Sequence, residues 1–487
     1  MSLFKKINVP LIVRTEGYLL FIEGLFMLLV LPVTYRHHGL NAFSMPLSTL
    51  ITLMTGFIFV FSTRKHKDEK TNPRDGVIIV CLSWVVLSLF GSMPYLLGDI
   101  VPNFTDGFFE AMSGFTTTGA TVLTNIETVP EDLQFWRSLT QWMGGFVIIV
   151  FTVAILPYLS MGGMQMFVSE MNGITTDKLH PRIVHTAKRI WLLYLCFTLI
   201  ETALLCLCKI KPFDALCHSM TTICSGGFST HNDSLAGYSP TAQAVVAVFM
   251  VLSGCNFSLM LLTLTRRKNS ILRDQEFRSF MLHIVFIGLA ITLSLIFIKK
   301  YKTMPAFRES FFSVISAITT TGFSVCDYTK WPNFLWVTLF LLMFIGACSG
   351  STTGGVRMLR HLIFVENAFI EMKRLINPNA VVPVKINGKS MTRNVIFKNM
   401  TFIFVYFIVF IVCAVLLVGG GTDFNTALGA AAATLSNAGT GIGQVGPGHD
   451  YAMFPAFGKW VLSLSMLMGR VELFSFITLF SRNFCRE

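Results

Sequence analysis

Ten stretches of apolar residues punctuate this chain, near 17–35, 44–63, 76–97, 136–158, 189–208, 241–265, 280–299, 332–347, 399–418 and 456–480. A hydrocarbon core needs about 20 such residues per helix, so the pattern predicts ten membrane spans. Composition agrees: 53% of the 487 residues are hydrophobic and only 13% are charged. A surface so poor in charge cannot face water, which excludes a soluble multidomain enzyme and a disordered chain. The net charge of +12 would point to nucleic acid in a soluble protein. In a membrane protein it marks loops that face anionic lipid, so no nucleic-acid partner is expected.

Threading ten spans places the N-terminus, the connections near 64–75, 159–188, 266–279 and 357–398, and the C-terminus on one side. That side carries most of the Lys and Arg, including Arg64, Lys65, Lys67, Lys70, Arg266, Arg267, Lys268, Lys373 and Arg374. The positive-inside rule makes it cytoplasmic, with both termini inside. The first apolar segment, with Glu16 and Glu23, shows no cleavage pattern and is expected to be a retained helix. Cysteines such as Cys81, Cys196, Cys206, Cys208, Cys255 and Cys413 have no metal-ligand spacing and are expected as small buried thiols. His37, His38, His231 and His449 are isolated and are expected to be solvated.

The four long outward connections each hold a stretch too short to span, followed by small polar residues around a glycine. They read FFEAMSGFTTTGATVL (Phe108–Leu123), ALCHSMTTICSGGFSTHN (Ala215–Asn232), FFSVISAITTTGFSVCD (Phe311–Asp327) and TALGAAAATLSNAGTGIG (Thr426–Gly443). Gly119, Gly227, Gly322 and Gly439 fall in register, spaced by 108, 95 and 117 residues. A repeat of about a hundred residues, each copy bracketed by two spans, describes four linked helix–pore-loop–helix units. The expected fold is an all-α polytopic membrane protein with pseudo-fourfold repeats behind a two-helix N-terminal domain. The expected division is 1–70 for that domain and 71–160, 161–268, 269–375 and 376–487 for the repeats.

The physics of such a unit is specific. A short helix enters from outside and stops halfway, and extended backbone returns, which is tolerable at that depth only around a water-filled cavity. Four such backbones can present rings of carbonyl oxygens that replace a cation's hydration shell. The negative C-terminal ends of the short helices favour a cation, and glycine allows the required dihedrals. The expected filter is Thr116, Thr117, Thr118 and Gly119; Cys224, Ser225, Gly226 and Gly227; Thr319, Thr320, Thr321 and Gly322; and Ser436, Asn437, Ala438 and Gly439. The second copy has a cysteine and tandem glycines, and the fourth lacks the threonine run.

Two further features lie at membrane depth. Gly346, Gly350, Gly354 and Gly355, with Ser349, Ser351, Thr352 and Thr353, interrupt the inner helix of the third repeat, and a break there can form a gate below a filter. Arg470 lies inside the last span, where an arginine is costly unless it faces water or a partner, and facing a cation path it forms a barrier. Glu472, two residues on, does not share its helix face. Gly441, Gly443 and Gly446 match GxGxxG, but the Ala-rich helix before them is not the strand that a dinucleotide site requires. No phosphate-loop or hydrolase motif is present, so no enzyme activity is expected.

With these segments in view, the chain resembles the bacterial potassium-uptake proteins of the Trk/Ktr/HKT superfamily, on its Trk branch. The resemblance covers essentially the whole chain. It rests on the four filter segments, on GACSGSTTGGVR (Gly346–Arg357) and on MLMGRVELF (Met466–Phe474). It implies potassium uptake across the bacterial inner membrane, with rubidium as a congener and sodium weaker, since sodium-preferring relatives tend to carry serine at the position of Gly119. It implies K⁺ ions in the filter and no covalent cofactor, and an intramembrane gating loop at 346–355 beside Arg470. It also implies a homodimer with one pore per subunit and a cytosolic nucleotide-binding (TrkA-like) regulatory subunit, for which the basic 357–398 connection offers a docking surface. The rival class is a secondary transporter holding a small polar solute at broken helices, which predicts two related halves rather than four quarter-length units.

Overall fold

The computed structural model describes residues 7–36, 43–64, 73–154, 179–266, 270–379, 382–471 and 473–480. The N-terminal pair is α1 (Val9–Leu28) and α2 (Ser44–Ser62). They cross at two glycines: a Cβ on Gly17 would lie 3.0 Å from Gly56 O, and one on Gly56 would lie 3.0 Å from Gly17 O. Small residues let helices approach where lipid gives no hydrophobic drive. The pair docks on the first repeat, where Ser83 donates to buried Glu16 at 3.0 Å.

The repeats follow in order. The first holds α3 (Pro73–Gly91), the pore helix α4 (Phe104–Phe115) and the inner helix α5 (Glu131–Ala154). The second holds α6 (Leu179–Leu207), pore helix α7 (Pro212–Ile223), and α8 (Pro240–Ser253) with α9 (Phe257–Arg266). The third holds α10 (Gln275–Lys299), pore helix α11 (Thr303–Ile318), α12 (Asn333–Ile345) and α13 (Met358–Ile376). The fourth holds α14 (Arg393–Gly419), pore helix α15 (Phe424–Leu435), and α16 (Ala456–Val471) with α17 (Leu473–Leu479). The pore helices start where the sequence supplies helix-start signals: Asn103 and Asp423 cap with their side chains, and Pro212 opens α7.

Each pore helix packs against the outer and inner helices of its own repeat and the inner helix of the repeat before it. Thus α7 meets α5, α11 meets α8, α15 meets α12, and α4 meets α16, which closes the circle. Pseudo-fourfold symmetry therefore follows from the packing as well as from the sequence spacing.

Among the described residues six helices are long and apolar enough to cross a membrane, or eight if two bent pairs are counted. Two of the ten expected spans are bent rather than straight. The expected 241–265 span bends by 93° between α8 and α9, and the 456–480 span by 115° between α16 and α17. The first break has a local cause: Gly254, Cys255 and Asn256 interrupt the apolar run, and Asn256 restarts the helix by accepting from Ser258 N and Leu259 N at 3.0 and 3.1 Å. In the third repeat α12 is only 13 residues and ends at the expected break.

The 357–398 connection is not an open loop. Its first half is the amphipathic helix α13, followed by a hairpin pairing Lys385–Ile386 with Lys389–Ser390. Ile363, Ile370, Val384, Ile386, Met391 and Val395 form a second small core beneath it. Cys81, Cys255 and Cys413 are buried, whereas Cys196 is exposed, counter to the expectation for it, and Cys206 and Cys208 are half-buried.

Candidate functional site

All four pore helices end the same way. The last helical turn is closed by Thr118 N on Ser113 O (2.9 Å), Gly226 N on Thr221 O (2.9 Å), Thr321 N on Ser316 O (3.0 Å) and Ala438 N on Ala433 O (2.8 Å). The residue before each sits in the left-handed region: Thr117 (φ 51°), Ser225 (57°), Thr320 (51°) and Asn437 (53°). This is a Schellman ending, usually given to glycine or asparagine. Threonine there is strained, and such strain is held where the surroundings over-determine the backbone. Two residues later every copy turns left-handed again, at Gly119 (φ 85°), Gly227 (74°), Gly322 (81°) and Gly439 (73°). The register read from sequence is thus the register of the backbone.

These glycines form a closed ring. A Cβ on Gly119 would lie 2.2 Å from Gly226 O, on Gly227 1.8 Å from Thr321 O, on Gly322 2.1 Å from Ala438 O, and on Gly439 2.4 Å from Thr118 O. Each repeat's glycine therefore abuts the preceding carbonyl of the next repeat, and the fourth returns to the first. Gly119, Gly227 and Gly322 keep partial exposure, while the remaining residues of the expected filter are buried, Gly439 among them.

Side chains brace the ring unequally. In repeats one and three the hydroxyls of Thr116 and Thr118, and of Thr319 and Thr321, bond to each other at 2.8 and 2.9 Å. In repeat four Asn437 reaches across to Thr118 Oγ1 and to Met466 O, both at 3.0 Å. Tyr451 Oη donates to Gly439 O at 2.8 Å. Beyond the ring, Arg137 Nε donates to Glu110 at 2.8 Å, and the same carboxylate accepts from Thr121 Oγ1 and Val122 N at 3.0 and 2.9 Å.

The broken segment lies against this ring. Thr352 Oγ1 is 2.7 Å from Ser225 Oγ and bonds Ile223 O at 3.0 Å. Gly354 N donates to Thr320 Oγ1 at 2.8 Å, and a Cβ on Gly354 would lie 2.1 Å from Ser436 O. Arg470 is buried and donates from Nη1 to Thr352 O at 2.9 Å and from Nη2 to Gly144 O at 3.5 Å. Gly346, Gly350 and Gly355 have φ of 69°, 78° and 74°, so the glycines carry the turns that the break requires. Ser351 and Thr353 bond to each other through their hydroxyls at 2.6 Å. Glu472 lies outside the described residues.

Some participants carry no sequence signal. Buried Glu276, at the start of α10, accepts from Ser349 N at 2.6 Å and Leu359 N at 3.0 Å, gripping both flanks of the broken segment. Its neighbours Asp274 and Gln275 bond Asn387 in the hairpin after α13, at 2.6 Å from Nδ2 and 2.7 Å from the backbone N. Gly144 and Gly469 admit pore-helix ends: Cβ atoms there would lie 1.8 Å from Phe115 O and 2.1 Å from Leu435 O. The GxGxxG match falls in a 3₁₀ turn after α15, with no strand before it. His231 is partly exposed, 3.4 Å from Glu127; His37 and His38 lie outside the described residues.

Fold and site together define a multi-pass membrane protein of the four-repeat pore-loop class, built for cation transport. Residues 47–485 match the family described as TrkH, cation transport protein. The potassium uptake protein TrkH of Salmonella typhimurium is 38% identical over 98% of this chain and 99% of that protein. TrkG of Escherichia coli K12 is 31% identical over 99% of both. The crystal structure of the potassium transporter TrkH from Vibrio parahaemolyticus superposes with a TM-score of 0.91 at 36% identity, covering 99% of this chain and all of that one. The chain belongs to the TrkH family, a family of transporters rather than enzymes.

Proposed function

We propose that this protein takes up potassium through the ring at Gly119, Gly227, Gly322 and Gly439, with the 346–355 segment and Arg470 closing the path beneath. The observation that carries the reading is the cyclic contact of each glycine with the next repeat's carbonyl, which brings four equivalent backbones around one axis. Full-length relatives named as Trk potassium uptake proteins support the choice of ion. K⁺ is substrate here, held by backbone oxygens of residues 116–119, 224–227, 319–322 and 436–439, with rubidium accepted and sodium disfavoured. The cytoplasmic charge bias supports an inner-membrane protein with both termini inside. A cytosolic nucleotide-binding subunit acts on the basic α13–hairpin face, and two copies form the working unit. The chain Asn387–Asp274–Gln275–Glu276–Ser349 gives that face a route to the closing segment. A solute transporter also has broken helices, but the fourfold closure favours a pore. Expression in cells lacking their own potassium uptake tests the proposal: growth at low external potassium supports it, and failure of a membrane-inserted protein to restore growth refutes it.

A further inference from the structure

The second repeat differs from the others where the ring is tightest. Repeats one and three have threonine before the glycine, and repeat four has alanine; repeat two has Gly226, with no side chain to brace its backbone. The vacant position is filled from another repeat. A Cβ on Gly226 would lie 2.4 Å from both Cδ and Oε1 of Gln141 and 2.9 Å from Nε2. Gln141 is fully buried on α5, the inner helix of repeat one. Its Nε2 donates to Gly226 O at 2.8 Å, and its Oε1 accepts from Phe228 N at 3.1 Å. One amide therefore clamps the backbone on both sides of Gly227. The orientation of the amide is set by chemistry, since a carbonyl needs a donor and an N–H needs an acceptor.

The clamp sits in a stripe. Positions 137, 141 and 145 lie on one face of a helix. Arg137 Nη1 reaches Ser229 O at 3.4 Å with its guanidinium 4.1 Å from the centre of the Phe228 ring, and Gly145 admits Cys224, whose Cβ would be 2.5 Å from a Cβ there. This face of α5 follows the second repeat's backbone from Ser229 down to Cys224, with Gln141 at its centre.

We propose that Gln141 is a specificity-determining positioning residue of the cation path: its amide replaces the side chain that Gly226 lacks and holds the Gly226–Phe228 backbone in the potassium-selective geometry. It touches no ion and acts through the backbone. The inference rests on reading the ring as a potassium filter.

The test uses purified full-length protein and reads apparent K⁺ and Na⁺ affinities from the melting midpoint as each salt is titrated at constant ionic strength. Wild type is expected to be stabilised more by K⁺ than by Na⁺. Gln141→Ala is expected to remain monodisperse while the K⁺/Na⁺ affinity ratio falls roughly fivefold or more, the scale of one lost hydrogen bond. Gln141→Glu, which keeps an acceptor for Phe228 N but loses the donor to Gly226 O, is expected to lower the ratio as well. It serves as the second variant should Gln141→Ala misfold. Gly226→Ala alone is expected to damage the protein, and Gln141→Ala is expected to relieve that damage by opening the space. An unchanged ratio in a folded Gln141 variant, or damage that simply adds in the double variant, overturns the proposal. A wild-type protein with no K⁺ preference overturns the potassium-filter reading itself, and this proposal with it.

Discussion

Replacing Arg470 by alanine perturbs the proposed closing segment most directly. In the structure the guanidinium is buried, with Nη1 2.9 Å from Thr352 O and Nη2 3.5 Å from Gly144 O. Thr352 also contacts the second filter through Ser225 and Ile223 O. If the segment closes the path as proposed, moving it aside must break the arginine's bond to it, so that bond stabilises the closed form alone. A hydrogen bond from a charged donor contributes about 1.5–3 kcal/mol. Losing it shifts the closed–open balance by roughly 10- to 150-fold toward open. The charge adds a second effect: at an effective dielectric near 20, a cation passing roughly 6 Å away meets a barrier of about 3 kcal/mol. Both terms act in one direction, so Arg470→Ala should raise the initial rate of rubidium entry into liposomes at least tenfold. Arg470→Lys, which keeps the charge but not the forked geometry, should fall between. Equal rates in wild type and a monodisperse Arg470→Ala protein would refute the reasoning.

Two other substitutions test the neighbouring links. Glu276→Ala leaves Ser349 N and Leu359 N without their acceptor, and should raise cation flux in the absence of any regulatory subunit; flux equal to wild type would remove Glu276 from the gate. Gly119→Ser places a Cβ 2.2 Å from Gly226 O at φ 85°, with a backbone cost of about 1–3 kcal/mol. Potassium-over-sodium flux selectivity should fall by about 5- to 150-fold, and retained selectivity in a folded protein would count against that glycine as part of the filter.

The parts legible in the sequence were those with a strict local requirement. A glycine at φ near 80° beside a neighbouring carbonyl tolerates nothing else, so Gly119, Gly227, Gly322 and Gly439 stand out at matching positions. The run of four glycines from Gly346 to Gly355 likewise announces a broken helix. The break at Gly254–Asn256 was written in the same vocabulary but was hidden by the strongly apolar residues on both sides. Gln141 and Glu276 were not legible, because each is a single polar residue at a helical position whose partners lie about 85 and 73 residues away. Their meaning comes only from the ring closing, which brings the inner helix of one repeat against the filter of the next. The 357–398 connection was read through its charge, which obscured the helical spacing of buried Ile363 and Ile370 in α13.

The central claim is that four repeats make one potassium-selective path. The measurement that tests it most directly is cation entry into liposomes containing purified protein, comparing potassium, rubidium, sodium and lithium under one driving force, with Arg470→Ala alongside to exclude a pore held shut. The account predicts potassium and rubidium entry well above sodium and lithium in at least the Arg470→Ala protein. Equal entry of all four ions, or none from either folded protein, would contradict it.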